Sequence, residues 1–440
     1  MEPNQSLFQK NKRDITIIGV ITVIFLLVVG VLFFLKNKKQ TGGGGGTIPN
    51  QAGSASLYSK NNNQDNSTSQ NGDSTNTDNN YYYQEGLIKI WDRPVAGYGF
   101  YNKKGSSDNI LVFVDSDTGF LYQKNLSQPT STPVQITNSS YPNIREAYFL
   151  NVAGQNKIIL QYSANNTVKS ILANIPDYYS VANDLENITA LDNNITNISI
   201  SSDFSKAVYV VTKNKVTNNK KDLYSDWYLI DNMGTSKIYT SDLSSWKLQI
   251  TNSTDIYAYN NDTAVEKSNL YILNNNTNSL KQISIGHTGS SYLINNNSVL
   301  TSIFTSNGLK IYENQSFYGG AFGDSSLSVL SFNTLTNKCS LSEIIICGVP
   351  KEIKNYDSGL PDAWYQGLTS WQDDLYIVNN DYPSGQMLFN LNIDGQVNDS
   401  FDLKNINITK NQDHVLFTNK NDGSLWSLNI SNILNTNTGD

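Results

Sequence analysis

An all-β chain, most of it closed into a seven-bladed propeller and carried behind one membrane-crossing helix, is what this sequence predicts on three observations. From Tyr81 onward, short apolar runs alternate with Gly, Asn, Asp and Ser clusters, and no stretch shows helical periodicity. The runs recur in two phased series about 50 residues apart, near the ~40–50-residue period of a four-stranded propeller blade. Close to the N-terminus, Ile15 to Leu35 passes without a charge.

That first segment reads ITIIGVITVIFLLVVGVLFFL. At 1.5 Å per residue it makes a helix of about 31 Å, matching a hydrocarbon core of ~30 Å. Asp14 and Lys36 bound it sharply. A cleaved signal peptide is the alternative, but its apolar stretch is about 7–15 residues with small residues after it. Here the run ends Phe33-Phe34-Leu35-Lys36. Lys10, Lys12 and Arg13 before the helix nearly balance Lys36, Lys38 and Lys39 after it, and the free α-amino group tips the N-terminus inward.

The tether follows. Gly42 to Gly46 are consecutive glycines, and Asn, Ser, Gln and Asp then dominate to Asn80. Without apolar periodicity this stretch cannot bury enough surface to fold. As a disordered coil, Thr41 to Asn80 spans about 35 Å. No Gly-Lys-Ser/Thr follows the glycines, so they form no phosphate loop.

The repeat fills the remainder. Leu111-Val112-Phe113-Val114, Ile158-Ile159-Leu160, Val208-Tyr209-Val210-Val211, Ile344-Ile345-Ile346 and Val415-Leu416-Phe417 form one series. After most of them comes a turn and a strand opening on an aliphatic–aromatic or aromatic pair. The second series is Leu121-Tyr122, Trp227-Tyr228, Leu270-Tyr271, Ile311-Tyr312, Leu375-Tyr376 and Leu425-Trp426, with a weaker member at Ser170-Ile171. The turn Asp115-Ser-Asp117-Thr-Gly119 has the same shape as Asn419-Lys-Asn421-Asp-Gly423, with side chains that close a turn on their own backbone and a glycine free to take positive φ. About 355 residues exceed what one compact core holds, and radial repetition resolves that. The last unit, Ile406 to Ile430, holds three strands, and Gly86 to Trp91 can supply the fourth and close the ring. A pair of β-sandwiches or a β-solenoid is the alternative architecture.

The expected organisation is a short cytoplasmic tail (1–14), the transmembrane helix (15–35), the tether (36–80), the propeller (81–435) and a tail (436–440). The large domain would lie outside the cytoplasm at the cell membrane.

Composition narrows function. Net charge is −7 with pI ≈ 5.0, so no basic excess exists to neutralise phosphates and nucleic acid is excluded as a partner. Two cysteines and two histidines leave almost nothing for a Cys/His zinc site, and no cofactor is expected. His287 and His414 read as structural, because no Gly-x-Ser-x-Gly elbow accompanies them. The Asp115/Asp117/Gly119 turn lacks the twelfth-position Glu of a calcium loop and reads as a hairpin turn. Asp362, Asp373 and Asp374 are the carboxylates to consider for glycoside hydrolysis. Cys339 and Cys347 flank Ser340 to Glu343 and suit facing positions on adjacent strands. A disulfide there needs an oxidising compartment, and buried free thiols are the other reading. Asp362, Trp364, Tyr365 and Gln366 stand in the longest gap between repeat units, where a loop on a rigid scaffold commonly binds a partner. A loop folded onto its own blade is the alternative.

Ile198-Ser-Ile-Ser-Ser-Asp-Phe-Ser-Lys-Ala-Val-Tyr-Val-Val and Asn405-Ile-Asn-Ile-Thr-Lys-Asn-Gln-Asp-His-Val-Leu-Phe-Thr resemble the TolB-like branch of WD-repeat propellers. That branch has Ser-Pro-Asp-Gly between its first two strands, and the Pro is absent here. The whole chain also looks like bacterial single-pass membrane proteins carrying a propeller, on Arg93 to Tyr101, the Cys339/Cys347 pair and Pro361 to Gly367. The resemblance implies architecture and a bacterial envelope, and no activity.

These readings combine into an extracytoplasmic binding or scaffolding protein that is not an enzyme. Its partner would be an envelope protein or a cell-wall or surface polymer. The alternative function is an envelope hydrolase of the propeller glycosidase type, which two carboxylates in one pocket of the ring would mark.

Overall fold

The computed structural model describes residues 86–433 apart from 102–109, 177–183, 218–219, 253, 261–262, 275, 297, 306–307, 315–326, 354–358, 392–399 and 432. Ile15 to Leu35, the tether and both tails lie outside the described residues. Among the described residues no helix is long and apolar enough to cross a membrane.

The chain forms seven antiparallel four-stranded sheets, a seven-bladed propeller. Its first strand, β1 (Leu87–Trp91), belongs to the last blade. Blade 1 is β2 (Val95–Tyr101), β3 (Ile110–Asp115), β4 (Leu121–Asn125) and β5 (Val134–Gln135); blade 2 is β6 (Ile144–Val152), β7 (Gln155–Ala164), β8 (Thr167–Asn174) and β9 (Glu186–Ala190). Blade 3 holds β10 (Ile195–Ile200), β11 (Ala207–Thr217), β12 (Lys220–Asp231) and β13 (Gly234–Ser241). Blade 4 holds β14 (Lys247–Ile250), β15 (Ile256–Tyr259), β16 (Leu270–Asn274) and β17 (Ser279–Ser284). In blade 5 the strands are β18 (Ser291–Ile294), β19 (Val299–Thr305), β20 (Gly308–Asn314) and β21 (Leu327–Val329). Blade 6 consists of β22 (Cys339–Leu341), β23 (Ile345–Pro350), the one-turn helix α1 (Asp362–Tyr365), β24 (Asp373–Val378) and β25 (Gln386–Phe389). Blade 7 takes β26 (Leu403–Ile408), β27 (His414–Asn419) and β28 (Leu425–Asn429), and β1 pairs along β28 as its outer strand. Gly86 to Trp91 thus closes the ring as expected.

The two sequence series are the second and third strands of the blades. These central strands are covered on both faces by neighbouring blades, so their apolar residues run without alternation: Leu111 to Val114, Ile158 to Leu160 and Val415 to Phe417 are all buried. Val112 and Val114 pack on Phe149 and Leu160 of blade 2, and Trp227 of blade 3 packs on Trp246 and Leu248 at blade 4. Ile198 to Val211 and Asn405 to Thr418 are the first hairpins of blades 3 and 7.

First strands neighbour one another around the centre, where no ladder joins them. Side chains bridge the gap. Leu248 N donates to Asn197 Oδ1 (2.7 Å), Ile294 N donates to Gln249 Oε1 (2.7 Å), and Tyr98 Oη donates to Leu416 O of blade 7 (2.9 Å). Part of the amide-rich composition therefore satisfies backbone groups that a propeller leaves open.

Closure has its own latch. Trp91 Nε1 donates to Asp115 Oδ2 (2.7 Å) and Arg93 Nη2 meets the same oxygen at 2.9 Å, while Asp117 N and Thr118 N donate to Asp115 Oδ1. Asp115 is thus spent on the hairpin and on the strand that enters it. Asn419 plays the matching part in blade 7, accepting from Asn421 N (3.2 Å) and Asp402 N (3.1 Å). Gly119 (φ 70°) and Gly423 (φ 75°) turn both hairpins, as their shared shape implied.

Connectivity divides the ring into two faces. Second-to-third connections and the links between blades emerge on one face, called upper here. First-to-second and third-to-fourth turns emerge on the lower face. Gly86, where β1 starts, lies on the lower face.

Candidate functional site

Residues 351–372 join β23 to β24 on the upper face, where the matching connections of blades 2, 3 and 5 are two residues long. The insertion reaches sideways. Ala264 N of blade 4 donates to Asp362 Oδ2 at 2.8 Å, and Ser370 Oγ donates to Asn421 Oδ1 of blade 7 at 2.6 Å. Trp364 is 4% exposed and packs with Leu309, Leu335, Leu360 and Trp371.

Beneath it sits a buried ion network. Lys338, the last residue of a short turn before β22, is fully buried; its Nζ lies 2.6 Å from Asp373 Oδ2 and also contacts Asp402. Trp364 and Trp371 place their rings 4.9 and 5.1 Å from that ammonium. Trp364 Nε1 donates to both Asp402 oxygens (3.0 and 3.1 Å), Trp371 N donates to Oδ2 (3.3 Å), and Lys420 approaches at 3.5 Å while donating to Thr369 O (3.0 Å). Asp402 thus holds the insertion down by three routes.

Two lysines and two aspartates balance formally, yet the aspartates differ. Burial pushes the Asp373 carboxyl up to about 6, aided by the nearby Asp402 charge and opposed by Lys338. Burial acts the same way on Asp402, but Lys338, Trp364 and Lys420 outweigh it and hold that carboxyl below the usual range. Lys338 is shared between the two carboxylates, while Asp402 alone also has Lys420 and the Trp364 indole. Burial also lowers the Lys420 ammonium pKa, with Asp402 opposing.

The structure distributes the expected residues unevenly. Cys339 and Cys347 face each other across β22 and β23 in a disulfide. Trp364 is a core residue here and not an exposed anchor, because its indole N–H is drawn inward by Asp402. Tyr365 is half-buried, Gln366 is exposed, and the Asp362 carboxylate is spent on blade 4. His287 lies in the link before blade 5, its N–H donating to Ser290 Oγ, and His414 opens β27 beside Asp413. Asp373 was among the carboxylates considered; Asp402, Lys338 and Lys420 were not. A charged residue inside Phe401-Asp402-Leu403 was the available signal for Asp402.

Outside this network, the exposed large apolar residues of the connections gather on one face. Val216, Leu223, Leu243, Val265, Ile285 and Leu368 are each half or more exposed, and all lie on upper-face connections or hairpin extensions. Among the described residues, the lower-face turns contribute only Met233, and the outer strands contribute Val134, Ile188, Val329 and Met387.

No protein-family model matches the chain, and neither does any curated protein. Solved structures do resemble it. The tricorn protease is 9% identical over 80% of this chain and 34% of that one, TM-score 0.48. The acylaminoacyl peptidase of Pyrococcus horikoshii is 9% identical over 74% of this chain and 49% of that one, TM-score 0.46. The β-propeller domain of Myceliophteria thermophila Cps50 (Swd1) is 11% identical over 78% of this chain and 100% of that one, TM-score 0.45. The chain spans between a third and a half of the two peptidases. At this identity and these TM-scores the likeness assigns no role; the neighbours are peptidase and WD40 propellers. They correct one expectation. With peptidase propellers among the neighbours, the exclusion of enzymatic activity read from the sequence does not stand.

Proposed function

We propose that the ring is the recognition domain of a membrane-tethered protein, held by Ile15 to Leu35, and that it engages an envelope protein or surface polymer through its upper face. The observation that carries this reading is the one-sided distribution of exposed aliphatic residues. Scattered apolar residues such as Val134, Ile188 and Val329 on the outer strands need no explanation, but the six gathered at the upper face mark an interaction surface. Photo-crosslinking residues at Leu243, Ile285 or Leu368 should trap one recurrent partner in the native membrane, and the same residue at Met233 should not. Equal capture from both faces would refute the assignment.

A second reading, hydrolysis, is favoured by the Asp373–Asp402 pair. Carboxyls pushed apart in pKa are how acid and base roles are divided. Both are fully buried, so a substrate would reach them only if the 359–371 turn lifted. Glycan or peptide cleavage abolished by Asp373→Asn, in protein that remains folded, would support it. Cleavage unchanged in that variant would sink it.

A further inference from the structure

Blade 6 holds two groups that differ from an amide by one water. Lys338, in the turn before β22, and Asp373, which opens β24, are both fully buried, and Lys338 Nζ lies 2.6 Å from Asp373 Oδ2. A nitrogen hydrogen-bonded to a carboxyl oxygen stands about 3–3.5 Å from the carboxyl carbon, the separation at which held groups react. An ordinary ion pair needs only that contact, and here three further features surround it.

The first is a base. Asp402, also fully buried, meets Lys338 Nζ directly. Burial raises the Asp373 carboxyl toward its neutral acid, the electrophilic form. At Asp402 burial is outweighed by Lys338, Trp364 and Lys420, so that carboxyl stays ionised and able to take a proton. The second is an oxyanion donor. Leu403 N donates to Asp373 Oδ2 at 2.6 Å, so this oxygen can hold the charge that gathers when the carboxyl carbon is attacked. The third is dryness. The buried rings of Trp364 and Trp371 lie 4.9 and 5.1 Å from the ammonium and keep out the water that would reverse a condensation.

We propose that Lys338 and Asp373 condense into an isopeptide bond, with Asp402 as the base. Asp402 takes one proton from the Lys338 ammonium, and the amine attacks Asp373 Cγ to form the N–C bond. Asp402 passes that proton to the Oδ1 hydroxyl, which leaves as water when the C–Oδ1 bond breaks. It then takes the second proton from nitrogen and releases it to solvent. Nothing is oxidised or reduced. A buried ammonium and a carboxyl become one neutral amide, which removes a desolvation cost, and Asp402 keeps Lys420 as its cation. The bond ties the entry of blade 6 to the strand on which the 351–372 insertion ends. It goes beyond the recognition reading and excludes the hydrolytic one, because a condensed Asp373 has no acid left to give. The ion pair is the reactant, so its titration and unfolding belong to folded protein that still has its full mass.

The test is intact mass of the full-length protein after denaturation and reduction, which should fall one water below the mass of its sequence. Trypsin, after thiol alkylation, should spare Lys338 and release one branched peptide joining 311–351 to 355–404. Asp373→Ala protein should keep its full mass and be cut at Lys338. During refolding from guanidinium the loss of water should follow folding, and Asp402→Asn should slow it at least roughly a hundredfold. The measurement on the native chain needs no variant, so it decides the matter even where a variant fails to fold. Folded native protein that keeps its full mass at neutral pH, with Lys338 cleaved by trypsin, would overturn the inference. Loss of a water without the branched peptide would overturn it too, since the dehydration then lies elsewhere. Equal rates in folded Asp402→Asn protein would remove Asp402 from the role of base.

Discussion

Replacing Lys338 by Met tests the account of the buried network most directly. Lys338 is fully buried, and so are Asp373 and Asp402, the carboxylates it joins. Met retains most of the volume and removes the charge, leaving Lys420, 3.5 Å from Asp402, as the one nearby cation in the network. Breaking a buried pair from one side costs about 3–5 kcal/mol, and that loss is expected at pH 8 in urea unfolding. The pH dependence sharpens the prediction. A carboxyl whose pKa is higher folded than unfolded binds its proton more tightly in the fold. For Asp373, at about 6 against an ordinary 3.8, native stability therefore falls as pH rises through that window and levels off above it. Loss of the lysine raises the folded pKa further, so acidification should rescue the variant more than the native protein. The penalty should shrink by about 1 kcal/mol or more between pH 8 and pH 5. The double variant K338M/D373N should regain part of the loss at pH 8. A single variant within about 1 kcal/mol of the native protein at pH 8, or a penalty that grows in acid, would refute the reasoning.

Four further outcomes are expected. Replacing both Cys339 and Cys347 by Ser should cost about 2.5 kcal/mol in the chain-entropy picture for a separation of 8 residues, and denatured, non-reduced protein should show no reactive thiol. Gly119→Ala should cost well over 1 kcal/mol by thermal unfolding, since φ is 70° and the new methyl would fall on the Tyr141 carbonyl. Gly154→Ala, at φ 77° with open space around it, should cost only about 1 kcal/mol. Removing residues up to Trp91 should leave the edge of β28 bare, and the protein should elute as aggregates by size-exclusion chromatography.

Strand position within the blade decided what the sequence revealed. Leu111 to Val114 and Trp227-Tyr228 announce themselves because central strands are buried on both faces and bury large residues. First strands face the centre and fourth strands face solvent on the rim. Asn197 and Gln249 therefore look like loop residues although they bridge blades, and β9 (Glu186–Ala190) is exposed throughout. Val134–Gln135, the whole fourth strand of blade 1, is too short to carry any pattern. Gly86 to Trp91 was legible for a different reason. Its apolar residues had no partner in their own part of the sequence, while the last unit lacked a strand.

The insertion shows what the same reasoning leaves out. Trp364 and Tyr365 stand outside strand spacing, which suggested a surface anchor, yet Trp364 is buried and Tyr365 stays half-exposed. What separates them is a distant carboxylate: Asp402, 38 residues on, accepts the indole N–H. Spacing along the chain reports on ladders, where partners follow from local periodicity. It carries no information about a bond made between blades, because the ring alone brings residues 338, 364, 373, 402 and 420 together. A buried lysine between two aspartates costs desolvation that an apolar core avoids, and its hydrogen-bonded partners offset part of that cost. Asp402 binds the insertion at Trp364 and at Trp371, while Asp373 changes charge near pH 6. Lys338 touches both carboxylates, so the K338M measurement at two pH values reads the stability of that contact and the titration of Asp373 together.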